Sequence, residues 1–319
     1  MRLRVLNVKS IRSVHTFHPR RAVVYVPASD KRKIIKSQTL NADTIVLDCE
    51  DGVSINKKDE ARQNIYELFQ NWPDFGNSEV AVRVNSVQSK IYKEDLKAVL
   101  GAKNLPTTLF LPKLDTKEEF REFTEELLTI IKERPEKNHK FNLLSYVESA
   151  RCLLNLHELV RYVLDASTTS ENLLMQGLVF GSDDFCADIG ATRTEDAKEL
   201  LYARQYLITV AKAFQLQAID MVHINYKDLA GLQMQSIEGA KMGFTGKQVI
   251  HPDQISVVNE AFSPSQEKIQ WARDLIAEFE GHQATGKGAF NFRGHMIDMP
   301  LVLQAKNVLK LAEAMPKKN

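Results

Sequence analysis

Residues able to do chemistry stand just past short apolar runs instead of being scattered along the chain. Asp48, Glu50 and Asp51 close TIVLDCED, Arg83 and Asn85 sit in VAVRVN, and Lys113 follows TLFLP. Glu148 follows LLSYV, Asp183 and Asp184 follow LVFGS, and His251 follows KQVI. Glu148 and Asp184 would make an all-oxygen site, which selects magnesium or manganese over zinc. Asp48 could act as a further ligand or hold a metal-bound water. Any one of these acids could instead cap the helix after it. As a set they would repel one another strongly without a counter-cation.

Arg83 interrupts an apolar run, where a fixed charge is costly unless paired or facing an anion. Its planar fork suits a substrate carboxylate or a developing enolate oxygen; an internal ion pair with Asp48 or Glu50 is the other reading, compatible with the first. Lys113 admits two roles, a desolvated Schiff-base nucleophile or charge balance for the acids around it, and the acids favour the second by raising its pKa. His251 could hydrogen-bond a ligand or simply form the turn before Pro252. Lys31, Arg32, Lys33 and Lys36 cluster after the first run, as a phosphate-binding patch or a solvated helix face. Tyr25 ends the same run and offers a ring face or a hydroxyl.

Positioning these residues takes a regular alternation. Runs at 22–27, 44–48, 80–84, 108–111, 143–147, 178–181, 219–224 and 247–250 predict eight strands. Between them lie amphipathic segments such as 56–69, 116–133 and 197–214, the last read as the longest. Eight strand–helix units predict an α/β fold, a (β/α)₈ TIM barrel, with an open doubly wound sheet as the competing arrangement. No glycine-rich dinucleotide fingerprint follows the first strand. In such a barrel the C-terminal strand ends carry the chemistry, where the polar residues above would stand. Beyond the barrel (21–262) an extension (263–319) predicts a helix over 264–280, a glycine-containing loop and a helix over 300–314, available as a lid or an oligomer contact.

The bulk properties agree with a soluble enzyme of this kind. A formal charge of +1 over 319 residues gives no bulk attraction to nucleic acid or membrane, and no apolar run reaches the length of about 18 residues that a spanning helix needs. Cys49, Cys152 and Cys186 are widely spaced and without a CxxC pair, so neither disulfides nor a zinc site are expected. Arg2, Arg4, Lys9, Arg12, Arg20 and Arg21 all precede the first acid, Asp30. That pattern suits a mitochondrial presequence over 1–20 or a basic tail.

The segments RRAVVYVP, TIVLDCEDGVSINKKDEAR, VAVRVNS, YVES, VFGSDDFCADIGAT, GFTGKQVIHPDQI and GKGAFNFRGHMIDMP, in unbroken order from about Arg20 to Pro300, resemble the citrate lyase β-like proteins of the HpcH/HpaI aldolase superfamily. The resemblance implies a carbon–carbon lyase acting on an acyl-CoA, with (3S)-citramalyl-CoA giving acetyl-CoA and pyruvate, and malate synthase-type side reactions. Malyl-CoA cleavage or malate synthesis as the main activity, and a non-catalytic acyl-CoA-binding barrel, are the alternatives. It places magnesium on Glu148 and Asp184, and coenzyme A or acyl contacts on Tyr25, Arg32, Lys36, Arg83, Ile250 and His251. The catalytic acid falls on Asp298 in MIDMP, which nothing in the strand argument singles out. The family also implies a homo-oligomer, a trimer, in which the C-terminal segment crosses to a neighbour, and a location in the mitochondrial matrix. Ala28, Ser29, Arg32 and Asp183 depart from the family pattern, which bears on the coenzyme A contacts more than on the chemistry.

Overall fold

The structure, a computed structural model, describes residues 18–136, 138–170, 172–283 and 290–315. Strands β1 Ala22–Pro27, β2 Thr44–Asp48, β3 Glu79–Arg83, β4 Thr108–Leu111, β5 Phe141–Val147, β6 Leu173–Phe180, β7 Gln217–Asp220 and β8 Gly246–Val249 form a closed barrel in chain order. Every adjacent pair is parallel, including β1 with β8, where Ala22 lies opposite Lys247 and Val24 opposite Val249. That pairing excludes the open sheet. Helices α1 Lys31–Ser37, α2 Lys58–Asn71, α3 Tyr92–Gly101, α4 Lys117–Lys132, α5 Ala150–Ser170, α6 Ser182–Ile189, α7 Leu201–Ala213, α8 Leu229–Met242 and α9 Gln254–Ala261 follow the strands.

Several expected bounds shift by a residue or two, and larger differences fall at β6, β7 and the segment 197–214. β6 starts at Leu173 instead of Leu178, because LLMQGLVF pairs with β5 along its length through a register shift at Leu143/Leu144. β7 stops at Asp220, not Ile224, where the Asp220 carboxylate itself accepts the Met221 N–H at 2.9 Å. The longest crossover helix is α5, with 21 residues, whereas 197–214 breaks into a 3₁₀ turn and then α7.

Side chains alternate in and out along each strand. Val23, Val46, Ala81, Phe110, Leu144, Tyr146, Val179 and Ile219 fill the barrel, while a second, larger core lies between the strands and the helices. The N-terminal end of the barrel is sealed by charge. Arg20, the last residue of the expected presequence, belongs to the barrel unit Arg20–Ser263 and is fully buried. Its Nε and Nη2 each donate to Glu79 at 2.7 Å, its Nη1 donates to Gln176 at 2.9 Å, and Thr44 also donates to Glu79. The rest of the expected presequence lies outside the described residues apart from His18 and Pro19. Among the described residues no helix is long and apolar enough to cross a membrane.

The second compact unit contains Pro264 onward. Its α10 Gln266–Gln283 and α11 Met299–Ala314 share a small core of Ala272, Leu275, Phe279, Phe292, Ile297, Val302 and Ala305. Part of the expected loop is instead a hairpin, β9 Phe290–Phe292 with β10 His295–Ile297. Its two-residue turn has positive φ at both Arg293 (50°) and Gly294 (85°), the turn that matches strand twist.

Closure of the barrel depends on one glycine. A Cβ on Gly246 would lie 1.8 Å from the Arg20 carbonyl oxygen, on the backbone that leads into β1, beside the Lys247 N–H to Arg21 carbonyl bond of 2.7 Å. Gly246→Ala is therefore expected to lower unfolding stability in urea by about 1–3 kcal/mol through overpacking at this seam; an unchanged midpoint would show that β8 can move aside freely.

Candidate active site

Period-two alternation on β2 and β3 brings Asp48 and Arg83 into register across the mouth of the barrel. Arg83 donates from Nε and Nη2 to the two Asp48 oxygens at 2.7 and 2.6 Å, and its Nη1 lies 2.9 Å from Glu50. Asp48 also accepts the backbone N–H groups of Glu50 at 2.8 Å and Gly52 at 2.9 Å. A Cβ at Gly52 would come within 2.4 Å of Asp48 Oδ2, so the tight turn after β2 needs glycine there. The internal ion pair foreseen for Arg83 is present, and its N–H groups are not exhausted by these contacts. Burial disfavours the guanidinium charge, yet Asp48 and Glu50 push its pKa well above the ordinary value. Both Asp48 oxygens are engaged by these four bonds.

Lys113, in the left-handed region at φ 49°, reaches two ways. Its N–H donates to Glu148 at 2.9 Å, and its Nζ donates to Glu50 at 2.7 Å and to Asp51 at 3.2 Å, with Asp184 at 3.7 Å. Partial burial works against its charge, but the bond to Glu50 and the fields of Asp51 and Asp184 raise its pKa. Three carboxylates around the amine favour its charged form, the arrangement expected for charge balance and not for a desolvated nucleophile.

Asp48, Glu50, Asp51, Glu148 and Asp184 thus share Arg83 and Lys113, an excess of acid over base. The excess shows in the titration. Glu148 is pushed up to about 8 by burial first, then by Glu50 and Asp184; Asp184 is raised by burial and by Asp51. Such a site fits a hard divalent cation, for which magnesium takes one or two carboxylates and keeps several waters. Among the described residues no group of three or more His, Cys, Asp or Glu forms a full metal cage.

A cavity of about 630 Å³ opens over these groups. Tyr25, Lys36, Arg83, Glu148, Asp184, Ile250 and His251 all line it, as do Asp48, Asp51 and Asp183. Arg32 does not; Lys33, one residue further along α1, lines it instead. His251 forms the turn, where the Asp253 N–H reaches its Nδ1 at 3.3 Å, and its ring stacks on Tyr226 with centroids 4.7 Å apart. Asp183 and Asp184 lie in the first turn of α6, where the helix dipole favours acids, but neither Glu148 nor Asp184 is a side-chain cap. Asp298 lies in the other unit, exposed, at the residue before α11.

Sequence reading passed over three residues at this mouth. Tyr146 lines the cavity two positions before Glu148, and strand alternation from Glu148 could have found it. Gln248 faces into the barrel and donates to the Phe180 carbonyl at 2.8 Å. Arg193 donates to Ser182 at 2.6 Å, Asp183 at 2.7 Å and the Val222 carbonyl at 2.6 Å, pinning the start of α6 to the segment after β7. No local signal marks Arg193.

A closed eight-stranded barrel whose strand ends gather acids around a buried guanidinium is, as a class, an enzyme scaffold with its chemistry at the C-terminal mouth. The comparisons agree: residues 21–252 match the HpcH/HpaI aldolase/citrate lyase family. Citramalyl-CoA lyase, mitochondrial, of Homo sapiens is 50% identical over 306 residues, covering 96% of this chain and 89% of that protein. The citrate lyase subunit beta of Leuconostoc mesenteroides is 32% identical, covering 92% of this chain and 94% of its own. The protein CitE of Mycobacterium tuberculosis, solved with magnesium, acetoacetate and coenzyme A, superposes with a TM-score of 0.70 at 27% identity over 92% of this chain and 98% of that one. The chain belongs to the HpcH/HpaI aldolase/citrate lyase family, and it is a lyase.

The raised pKa of Glu148 has a consequence for stability. Its folded value, about 8, exceeds its ordinary 4.5, so the stability tied to the protonated form is complete below about 4.5 and is lost as pH rises through about 8. Without divalent ions, Glu148→Gln should therefore raise the melting temperature, with a gain that grows from about pH 4.5 to about pH 8 and then levels off. A gain independent of pH, or a loss at pH 8.5, would contradict the assigned ionisation.

Proposed function

We propose that this protein is a magnesium-dependent acyl-CoA lyase that cleaves (3S)-citramalyl-CoA to acetyl-CoA and pyruvate. The observation that carries the reading is a buried Arg83, fixed by Asp48 and still with N–H groups to offer, in one cavity with the under-neutralised pair Glu148 and Asp184. Identity of 50% to human citramalyl-CoA lyase supports this substrate over its nearer analogues. Glu148 and Asp184 would hold the magnesium, which when bound supplies Lewis acidity toward the hydroxyl and carboxylate of the keto-acid half.

The remaining work falls to the chain's own side chains. The bond between the thioester's methylene carbon and the carbinol carbon breaks as the hydroxyl gives up its proton to solvent water in the cavity and becomes the ketone of pyruvate, and the proton taken up at carbon balances the one released. The electron pair passes to the thioester as an enolate, whose oxygen Arg83 stabilises. Asp298 delivers the proton that completes the methyl group of acetyl-CoA, and in synthesis removes it. Lys36, with Arg32 and Lys33 nearby on α1, offers cations to the phosphates of coenzyme A; Tyr25, Ile250 and His251 contact the acyl and pantetheine end. Lys113 offsets the charge of Glu50, Asp51 and Asp184 without taking part covalently.

In this proposal the active form is a homotrimer, with Asp298 of one subunit serving the cavity of a neighbour, in the mitochondrial matrix. The acid-free basic start of the chain and the mitochondrial designation of the human relative support the location. Malyl-CoA differs by one methyl, worth about 1–3 kcal/mol in discrimination, so malyl-CoA cleavage and the reverse condensations are side reactions.

The test is release of pyruvate from (3S)-citramalyl-CoA, coupled to a reporter, with and without magnesium and beside malyl-CoA. Turnover should need magnesium, favour citramalyl-CoA, and fall by about 10²–10⁴-fold in Asp298→Ala. Mixing Asp298→Ala with Glu148→Ala subunits should restore part of the rate if the acid acts across subunits. Preference for malyl-CoA would transfer the mechanism to that substrate, and tight acyl-CoA binding without turnover would leave a binding protein.

A further inference from the structure

Two phenols meet inside the barrel mouth, and only one of them has been given a task. Tyr25 on β1 and Tyr146 on β5 are hydrogen-bonded through their hydroxyls, and both line the cavity. The Arg83 guanidinium lies over both rings, with its carbon 5.2 Å from the Tyr25 centroid and 5.6 Å from that of Tyr146. Phe110 meets each ring edge-on at 6.3 Å, so the three rings form one aromatic layer over which Arg83 rests.

The direction of the hydroxyl bond follows from what each oxygen can reach. Tyr146 is 2% exposed, and among the described residues its hydroxyl has no polar partner besides Tyr25. If Tyr25 were the donor, the Tyr146 hydrogen would be buried without an acceptor, a desolvation cost of about 1–3 kcal/mol. With Tyr146 donating, its own hydrogen is satisfied. The hydrogen left over is that of Tyr25, which is only partly buried and has no protein acceptor among the described residues. That hydrogen is available to the cavity, and accepting a bond from Tyr146 polarises it into a stronger donor.

We infer that Tyr146 is a positioning residue: by donating to the Tyr25 oxygen it turns the Tyr25 hydroxyl into a fixed hydrogen-bond donor for an oxygen of the acyl group in the cavity. This rests on the reading that the cavity receives an acyl thioester. Tyr146 touches the reaction only through Tyr25, and it holds Arg83 through its ring independently of its hydroxyl.

The two roles of Tyr146 separate in a double-mutant cycle on the full-length protein. Tyr146→Phe keeps the ring under Arg83 and removes only the donor. In magnesium-dependent cleavage of (3S)-citramalyl-CoA, Tyr25→Phe should lower kcat by about 10²-fold, as for loss of one preorganised donor. Tyr146→Phe should lower kcat about three- to tenfold with KM little changed and the melting temperature close to wild type. The double variant should be no worse than Tyr25→Phe alone. The same cycle, read in dissociation constants for acetyl-CoA by calorimetry, should show the same lack of additivity. Additive losses, or a silent Tyr146→Phe, in both readouts would overturn the inference while leaving the lyase reading intact. Coupling in acetyl-CoA binding without turnover of any hydroxyacyl-CoA would uphold the inference and reject the lyase reading. Failure to bind acetyl-CoA at all would overturn both.

Discussion

The pairing of Arg83 with Asp48 is the contact on which the rest of the mouth depends. A guanidinium at the end of a barrel strand survives burial because a carboxylate on the next strand meets it with two parallel bonds. Breaking such a pair by removing one partner costs about 3–5 kcal/mol, because the survivor is left charged and unpaired. Asp48 also gathers the N–H groups of Glu50 and Gly52, so the same carboxylate shapes the turn that presents Glu50 to Lys113. Lys113 in turn hands its N–H to Glu148. One ion pair is thereby linked through two further residues to the carboxylate across the barrel.

The two ends of the barrel obey opposite electrostatic rules. At the N-terminal end Arg20, Glu79, Thr44 and Gln176 satisfy one another, and the network is buried. At the C-terminal end five carboxylates share two cations, and burial pushes Glu148 up to about 8. The first arrangement stabilises the fold; the second costs stability and leaves unbalanced negative charge in a cavity. That division matches the usual separation of stability from chemistry in this fold. The aromatic layer of Tyr25, Phe110 and Tyr146 separates the apolar barrel interior from the charged mouth, and the guanidinium rests on it.

Much of this was legible in the chain. Eight runs with polar ends are a local pattern, and every strand overlaps its expected run, because period-two alternation and helical period are properties of short windows. Arg83 announced its need for a partner by standing in an apolar strand, and Glu148 and Asp184 announced themselves by position after β5 and β6. Arg20 did not: a basic residue among other basic residues looks like part of a leader until Glu79, distant in sequence, is seen to receive it. Arg193 and Gln248 were likewise silent, since their partners, among them the Val222 and Phe180 carbonyls, are brought near by the fold. Asp298 was reached through family resemblance, and nothing in its local surroundings singles it out: it is an exposed residue at a helix start.

The sequence by itself determined the order of strands and helices, the acids and bases at the strand ends, and the family. Those are encoded in residue type and short-range spacing, which need no partner to be read. Only the tertiary structure decided that β8 closes on β1, that Asp48 meets Arg83 with two parallel bonds, that Lys113 lies among Glu50, Asp51 and Asp184, and that Tyr146 meets Tyr25. Each of these depends on groups far apart in the chain and on burial, which sets the strength of a charge or a hydrogen bond and exists only once the barrel has closed.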